Sequence, residues 1–251
     1  MPMLNSLGVA SAKGISVGDT PVAFVQSGLV LNLDAANYTS GTTWASTVGG
    51  VNFTILASAY NSSGPKYMDF NGSFGCAKKT DSDFLVSGDV TVVCWTRVRQ
   101  TNTNWRTLLR GLSSGGDHQV IFEAGSYRLG MYDNTNATGY NDSTFLQTSL
   151  PGWNTGRWNM MTWRWNNGAI PYYNFSYNDT PGTLRGSNNN INTRFKHGFC
   201  SIGAYNNGVQ TDPSNADQYW GDIAHIAVYN RYLSDSEVLS NFQTSRNRYG
   251  V

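Results

Sequence analysis

From Gly28 onward, short apolar runs and strict alternations are separated by Gly, Asn, Asp and Pro. That rhythm is the signature of strands joined by turns rather than of helices. Strands are expected at 28–34, 67–70, 90–98, 107–111, 118–124, 127–132, 158–165, 170–177, 199–204 and 220–229. Alternation also assigns faces. In 90–98, Val92, Cys94, Thr96 and Val98 share one side, with Val93, Trp95 and Arg97 on the other. In 158–165, Met161, Trp163 and Trp165 oppose Met160, Thr162 and Arg164. A broad sheet with one packed face and one semi-polar, aromatic face follows. Near the end, Ser234 followed by Glu237 forms a capping box. Val238, Leu239 and Phe242 then fall at helical spacing, predicting one short helix over 235–244 that packs on a sheet. The fold class is all-β, a two-sheet antiparallel sandwich with one short C-terminal helix.

Residues 1–26 break this rhythm. Gly8, Gly14, Gly18 and Pro21 surround scattered apolar side chains, Leu4, Leu7, Val9, Ile15 and Val17, too few for a core. The segment is expected to be an extended arm whose apolar residues contact a neighbouring subunit, with residues 27–251 as the single domain.

Composition narrows the function classes. Seventeen Lys and Arg against sixteen Asp and Glu give a net charge of +1. No like-charge run exceeds two residues, so neither nucleic acid nor an anionic membrane has its electrostatic footprint. The chain lacks an apolar stretch of ~20 residues. Its first twenty residues lack a basic segment followed by an apolar one, so a non-secreted protein is expected. Cys76, Cys94 and Cys200 are odd in number and lack close pairing; they are read as buried thiols.

Three segments in order resemble a known family: Gly28-Leu29-Val30-Leu31-Asn32-Leu33-Asp34-Ala35-Ala36-Asn37, Tyr67-Met68-Asp69-Phe70-Asn71-Gly72-Ser73, and Trp220-Gly221-Asp222-Ile223 through Tyr229-Asn230-Arg231-Tyr232-Leu233-Ser234. With Gly156-Arg157-Trp158 opening a middle strand, the chain resembles concanavalin A-like, laminin-G-like jelly-roll domains. The ending Arg248-Tyr249-Gly250-Val251 and the opening Leu7-Gly8-Val9-Ala10-Ser11-Ala12-Lys13-Gly14 are similar to structural proteins of bacteriophages and large DNA viruses. The resemblance implies a non-enzymatic capsid- or tail-associated virion protein. Its partners would be other virion proteins or further copies of itself. The alternative it implies is a carbohydrate-binding, lectin-like attachment module.

That fold by itself fixes no activity, so the side chains must. A retaining glycosidase needs two carboxyl groups about 5–5.5 Å apart. Only two glutamates are present, Glu123 standing alone and Glu237 in the capping box. His118, His197 and His225 lie in separate segments without a nucleophile elbow, so no catalytic residue is expected. No cofactor is required, calcium being the one candidate ligand, through Asp133, Asp142, Asp212 and Asp217 in oxygen-rich turns. Eight Trp and fourteen Tyr in a charge-poor sandwich suit sugar stacking. The candidate glycan-binding residues are Trp105 and Trp153, in polar surroundings, and Trp163, Trp165 and Tyr173 on neighbouring strands.

Overall fold

A computed structural model of the chain describes residues 23–56, 59–71, 76–78, 86, 88–99, 106–110, 118–122, 129–133, 138–142, 156–166, 173–181, 201–203 and 219–251. The strands are β1 (Leu29–Asp34), β2 (Thr43–Ala45), β3 (Asn52–Leu56), β4 (Ala59–Asn61), β5 (Tyr67–Asn71), β6 (Cys76–Lys78), β7 (Val90–Val98) and β8 (Arg106–Arg110). They continue as β9 (His118–Phe122), β10 (Leu129–Asp133), β11 (Thr138–Asp142), β12 (Asn159–Trp165), β13 (Tyr173–Tyr177), β14 (Thr180–Pro181), β15 (Ser201–Ile202) and β16 (Trp220–Tyr229). Among the described residues one α-helix, α1 (Asp235–Tyr249), follows β16, and a single 3-10 turn (Ala35–Asn37) follows β1.

The strands form two antiparallel sheets, as the sequence predicts. The first runs β14-β13-β12-β7-β16-β5-β4, with β1 also pairing β16, and the second β11-β10-β9-β8-β15-β6-β3-β2. The main core lies between them. Val90, Val92, Cys94 and Val98 of β7 and Met161, Trp163 and Trp165 of β12 point into it, together with Phe53, Phe70, Phe175 and Ile226. The face assignment on both strands holds. Cys94 is a buried free thiol, and burial pushes its pKa well up; Cys76 lies in β6 and Cys200 outside the described residues.

The outer face of the first sheet carries a second apolar cluster, Val93, Trp95, Met160, Ala224, Ala227 and Tyr229, beneath Val238, Phe242 and Tyr249 of α1. The expected semi-polar face is therefore largely the seat of the helix. Trp95 stacks on Tyr249 at 4.1 Å and on Phe242 at 5.9 Å between ring centroids, and its indole N–H donates to Ser245 Oγ at 2.8 Å. A register shift in β16 between Ile223 and His225 reverses the strand's parity. Ile223 and Ile226 consequently both face the main core while Ala224 and Ala227 face the helix.

Packing on the outer face starts at Phe24, ahead of the expected boundary at residue 27. Phe24 is buried, its ring stacks on His225 at 4.3 Å, and the Val25 N–H donates to Asn241 Oδ1 at 2.8 Å. Leu4, Leu7, Val9, Ile15 and Val17 lie outside the described residues.

The capping box forms as expected: Ser234 Oγ accepts from the Glu237 N–H, and the Glu237 carboxylate accepts from the Ser234 N–H. Two bonds from Arg231, at 2.9 and 2.6 Å, fix that carboxylate and, with the cap, bring its pKa down to about 2. α1 continues five residues past its expected end at Thr244. Ser245, Arg248 and Tyr249 extend its buried side, but two of the three are polar, so the apolar pattern stops too early. Gly250, at φ 70°, ends the helix in a left-handed conformation that favours glycine. Replacing Ser234 by alanine is expected to lower stability by about 1 kcal/mol, read as a fall in the urea midpoint. A loss below ~0.3 kcal/mol would mean that the Arg231–Glu237 bonds hold the first turn without the cap.

At the outer edge of the first sheet, β14 has two residues, and Pro181 pairs with Ser176. Asn178, at φ 52°, turns the β13–β14 hairpin. Its N–H donates to Met160 O at 2.7 Å and its Oδ1 accepts from the Met160 N–H at 2.8 Å. One side chain thus extends the ladder by a residue that the backbone cannot supply.

Candidate functional site

Beyond the last turn of α1, the outer face of the first sheet emerges at three adjacent strand ends. Antiparallel register sets Asp222 of β16 opposite Asp69 of β5 on one side and opposite Arg97 of β7 on the other. Alternation adds the i±2 neighbours to the same face, Tyr67 on β5 and Trp220 on β16, with Arg99 just past β7. Trp158, just before β12, closes the group.

Arg97 anchors it. Its Nε donates to Asp222 Oδ2 at 2.7 Å, and Nη2 lies 2.6 Å from the same oxygen. The guanidinium lies 5.1 Å from the ring centroids of both Tyr67 and Trp158, within cation–π range. Those two rings are 5.6 Å apart and tilted by 60°. Arg99 bridges the acids, pairing with Asp69 and lying 3.3 Å from Asp222 Oδ1. Asn61 Nδ2 donates to the Tyr67 hydroxyl at 2.8 Å.

Electrostatically the group is balanced, two guanidinium groups facing two carboxylates. Burial pulls the Arg97 pKa down, but its hydrogen bond to the Asp222 carboxylate and the attraction of that charge outweigh it and hold the cation above its ordinary value. Burial raises the Asp222 carboxyl, against the lowering by Arg97 and Arg99. The Asp222 side chain is 0% exposed, while Arg97, Asp69 and Arg99 are 28%, 28% and 35% exposed. Trp220 and Tyr67 are half-buried. Trp44, Trp95, Trp158, Trp163 and Trp165 are all buried, so among the described tryptophans Trp220 alone is not buried. The patch thus joins an aromatic surface to fixed hydrogen-bond donors and acceptors without net charge.

The residues expected to bind sugar are placed differently. Trp163 and Trp165, at 0% and 1% exposure, belong to the core between the sheets. That is a correction: β12 turns their face inward, so no sugar ring reaches them. Tyr173 is in β13, opposite Trp165. Trp105 and Trp153 lie outside the described residues, as do Asp212 and Asp217. Asp133 pairs with Thr138 and Asp142 with Leu129, at opposite ends of one hairpin. Among the described residues, no three His, Cys, Asp or Glu side chains gather to hold a metal.

The patch was visible in the sequence only as three i, i+2 pairs: Tyr67 with Asp69, Arg97 with Arg99, and Trp220 with Asp222. Two of these pairs fall in the segments that carry the family resemblance, where they mark the fold. Their adjacency depends on strand order, which no local pattern encodes.

No model of a known protein family and no curated protein matches the chain. Solved structures do. Domain 4 of AbnA, an extracellular arabinanase from Geobacillus stearothermophilus, in complex with arabinotriose, superposes with a TM-score of 0.62 at 18% identity, over 86% of this chain and 99% of that one. The Trypanosoma rangeli sialidase in complex with sialic acid gives 0.61 at 16% identity over 93% of this chain. This chain spans only 36% of the sialidase. The binding domain of botulinum neurotoxin serotype D/C gives 0.58 at 14% identity, over 86% and 52% of the two chains. At such identities the likeness is one of fold, and the fold that this chain shares is the β-sandwich.

Proposed function

We propose that the chain is a non-catalytic glycan-binding module and that the Trp220–Tyr67–Arg99–Asp69 surface is its binding face. The observation that carries the reading is Trp220, the one described tryptophan that is not buried, on the same sheet face as the Arg97–Asp222 and Arg99–Asp69 ion pairs. A sugar's C–H face stacks on such a ring while its hydroxyl groups meet the neighbouring polar atoms. Preorganisation keeps the entropic cost of binding low. The carbohydrate complexes of the arabinanase domain and of the sialidase support this lectin-like reading over that of a particle component. Of the two glutamates, Glu237 is committed to the helix cap and Arg231, which favours binding without cleavage.

The test is a titration of the purified chain against a panel of oligosaccharides, with and without calcium, followed by tryptophan fluorescence and by product analysis. Saturable binding without product release is expected. Trp220→Ala is expected to weaken it about tenfold or more, the scale of a central aromatic contact. A silent panel, or a bound sugar indifferent to Trp220→Ala, would overturn the proposed face.

A further inference from the structure

The last turn of α1 abuts the patch through Tyr249 and Trp158, 5.4 Å apart. Its first two turns border something different: a groove of about 310 Å³ between the helix and the β13–β14 hairpin, lined by Ser176, Asn178, Asp179, Asp235, Val238 and Leu239. Leu239 is one of two large hydrophobic side chains left exposed among the described residues. The rim is acidic. Asp179 is exposed and joins none of the ion pairs among the described residues. Asp235, 63% exposed, pairs through one oxygen with the buried Arg164 at 2.6 Å. An occupant of the groove must therefore combine an apolar stem with a positive charge.

α1 itself carries such a group. Arg246 is exposed and joins none of the ion pairs among the described residues. It follows Leu239 by two turns, about 10 Å along the axis, so Asp235, Leu239 and Arg246 share one flank of the helix. The opposite flank is occupied: Asn241 accepts from the Val25 N–H, and Arg248 holds Asp34. We propose that the groove receives Arg246 of a second copy of this chain, in a dimer whose two-fold axis passes midway between Leu239 and Arg246. Antiparallel helices then set the acidic, apolar first half of each against the basic last turn of the other, so one surface serves both copies, as two-fold symmetry requires. The Arg246 methylenes cover Leu239 while its guanidinium meets Asp179, the two-part use of a long cationic side chain. Each helix also brings its positive N-terminal end beside the negative C-terminal end of the other. Area sets the strength. α1 has 15 residues, about 22 Å of length by 10 Å of width, so its face contributes about 200–300 Å² per copy, well short of the ~800 Å² of a stable complex. The dimer therefore dissociates on dilution. This inference does not depend on the glycan reading.

Sedimentation velocity of the full chain over a wide range of concentration tests the pairing. A monomer–dimer equilibrium is expected. Arg246→Glu and Asp179→Lys should each weaken it about tenfold or more, since each sets like charges at both contacts of the dimer. Both residues are exposed, so neither change should move the melting temperature. The decisive arm mixes the two variants. In a mixed dimer both contacts again join opposite charges, so the equimolar mixture should associate about as tightly as the native chain although neither variant does so alone. Leu239→Ser should weaken every one of these dimers. A chain that stays monomeric at all concentrations, a dimer indifferent to Arg246→Glu, or a mixture no tighter than its components would overturn the proposal.

Discussion

Arg248→Met is expected to cost the folded chain about 3–5 kcal/mol, the scale for stripping one partner from a buried ion pair. Arg248, on the last turn of α1, donates to both carboxylate oxygens of Asp34 at 2.7 Å. The two side chains are 5% and 1% exposed. Methionine leaves the Asp34 charge in the interior, with only the Ala36 N–H at 2.8 Å still bound to it. Because this pair ties the end of the helix to β1, the loss should also expose Trp95 and Tyr249. For a chain of this length the melting temperature should fall by roughly 10 °C or more, with a red shift in tryptophan emission. Adding Asp34→Asn removes the stranded charge and keeps the cap acceptor, so the double variant should recover part of the loss. If Arg248→Met alone costs less than ~1 kcal/mol, the pair does not anchor the helix.

Acid should weaken the fold well before its carboxylates titrate, because of His225. The imidazole is buried under Phe24, with Nε2 2.5 Å from Asn32 Oδ1, to which it donates. Burial lowers its pKa from 6.5 to about 4; the nearby Asp34 carboxylate opposes this and Arg248 adds to it. The unfolded chain therefore takes up a proton between those values that the folded chain refuses. Stability is full above about pH 6.5 and falls toward pH 4, by about 3 kcal/mol in all. Asp34 acts in a lower window. Burial raises its carboxyl, but His225 and Arg248 outweigh that and hold it below 3.8. Its contribution is present above that pH and lost as pH falls through the folded value. Urea midpoints measured from pH 7 to 4.5 should fall steadily in the native chain and stay nearly flat in His225→Gln. Equal slopes in the two would remove His225 as the cause.

Both predictions concern contacts that local pattern does not reveal. Alternation alone assigned the faces of β7 and β12, since each strand runs unbroken through the middle of a sheet. The Ser234–Glu237 cap was likewise readable, being a contact over three residues. The bulge in β16 was not, because Ala224 and His225 look like one more alternation until the partner strand is known. Short strands such as β2, β4 and β6 escaped because three residues carry too little periodicity. Trp163 and Trp165 were open to two readings, since an aromatic face on a strand suits a core and a binding surface equally, and the second sheet decided for the core. The patch around Trp220 unites segments some 120 residues apart, and Arg97 and Asp222 meet only through the β7–β16 pairing.

Pro181 has a consequence for how copies of this chain can associate. The outermost strand of the first sheet is two residues long, and its second residue has no N–H to offer. A strand from another molecule arriving at that border finds too few donors to extend the ladder, so addition of chain upon chain into a continuous sheet is blocked there. Among the described residues, association on that side is therefore left to contact between faces rather than to backbone pairing at this strand.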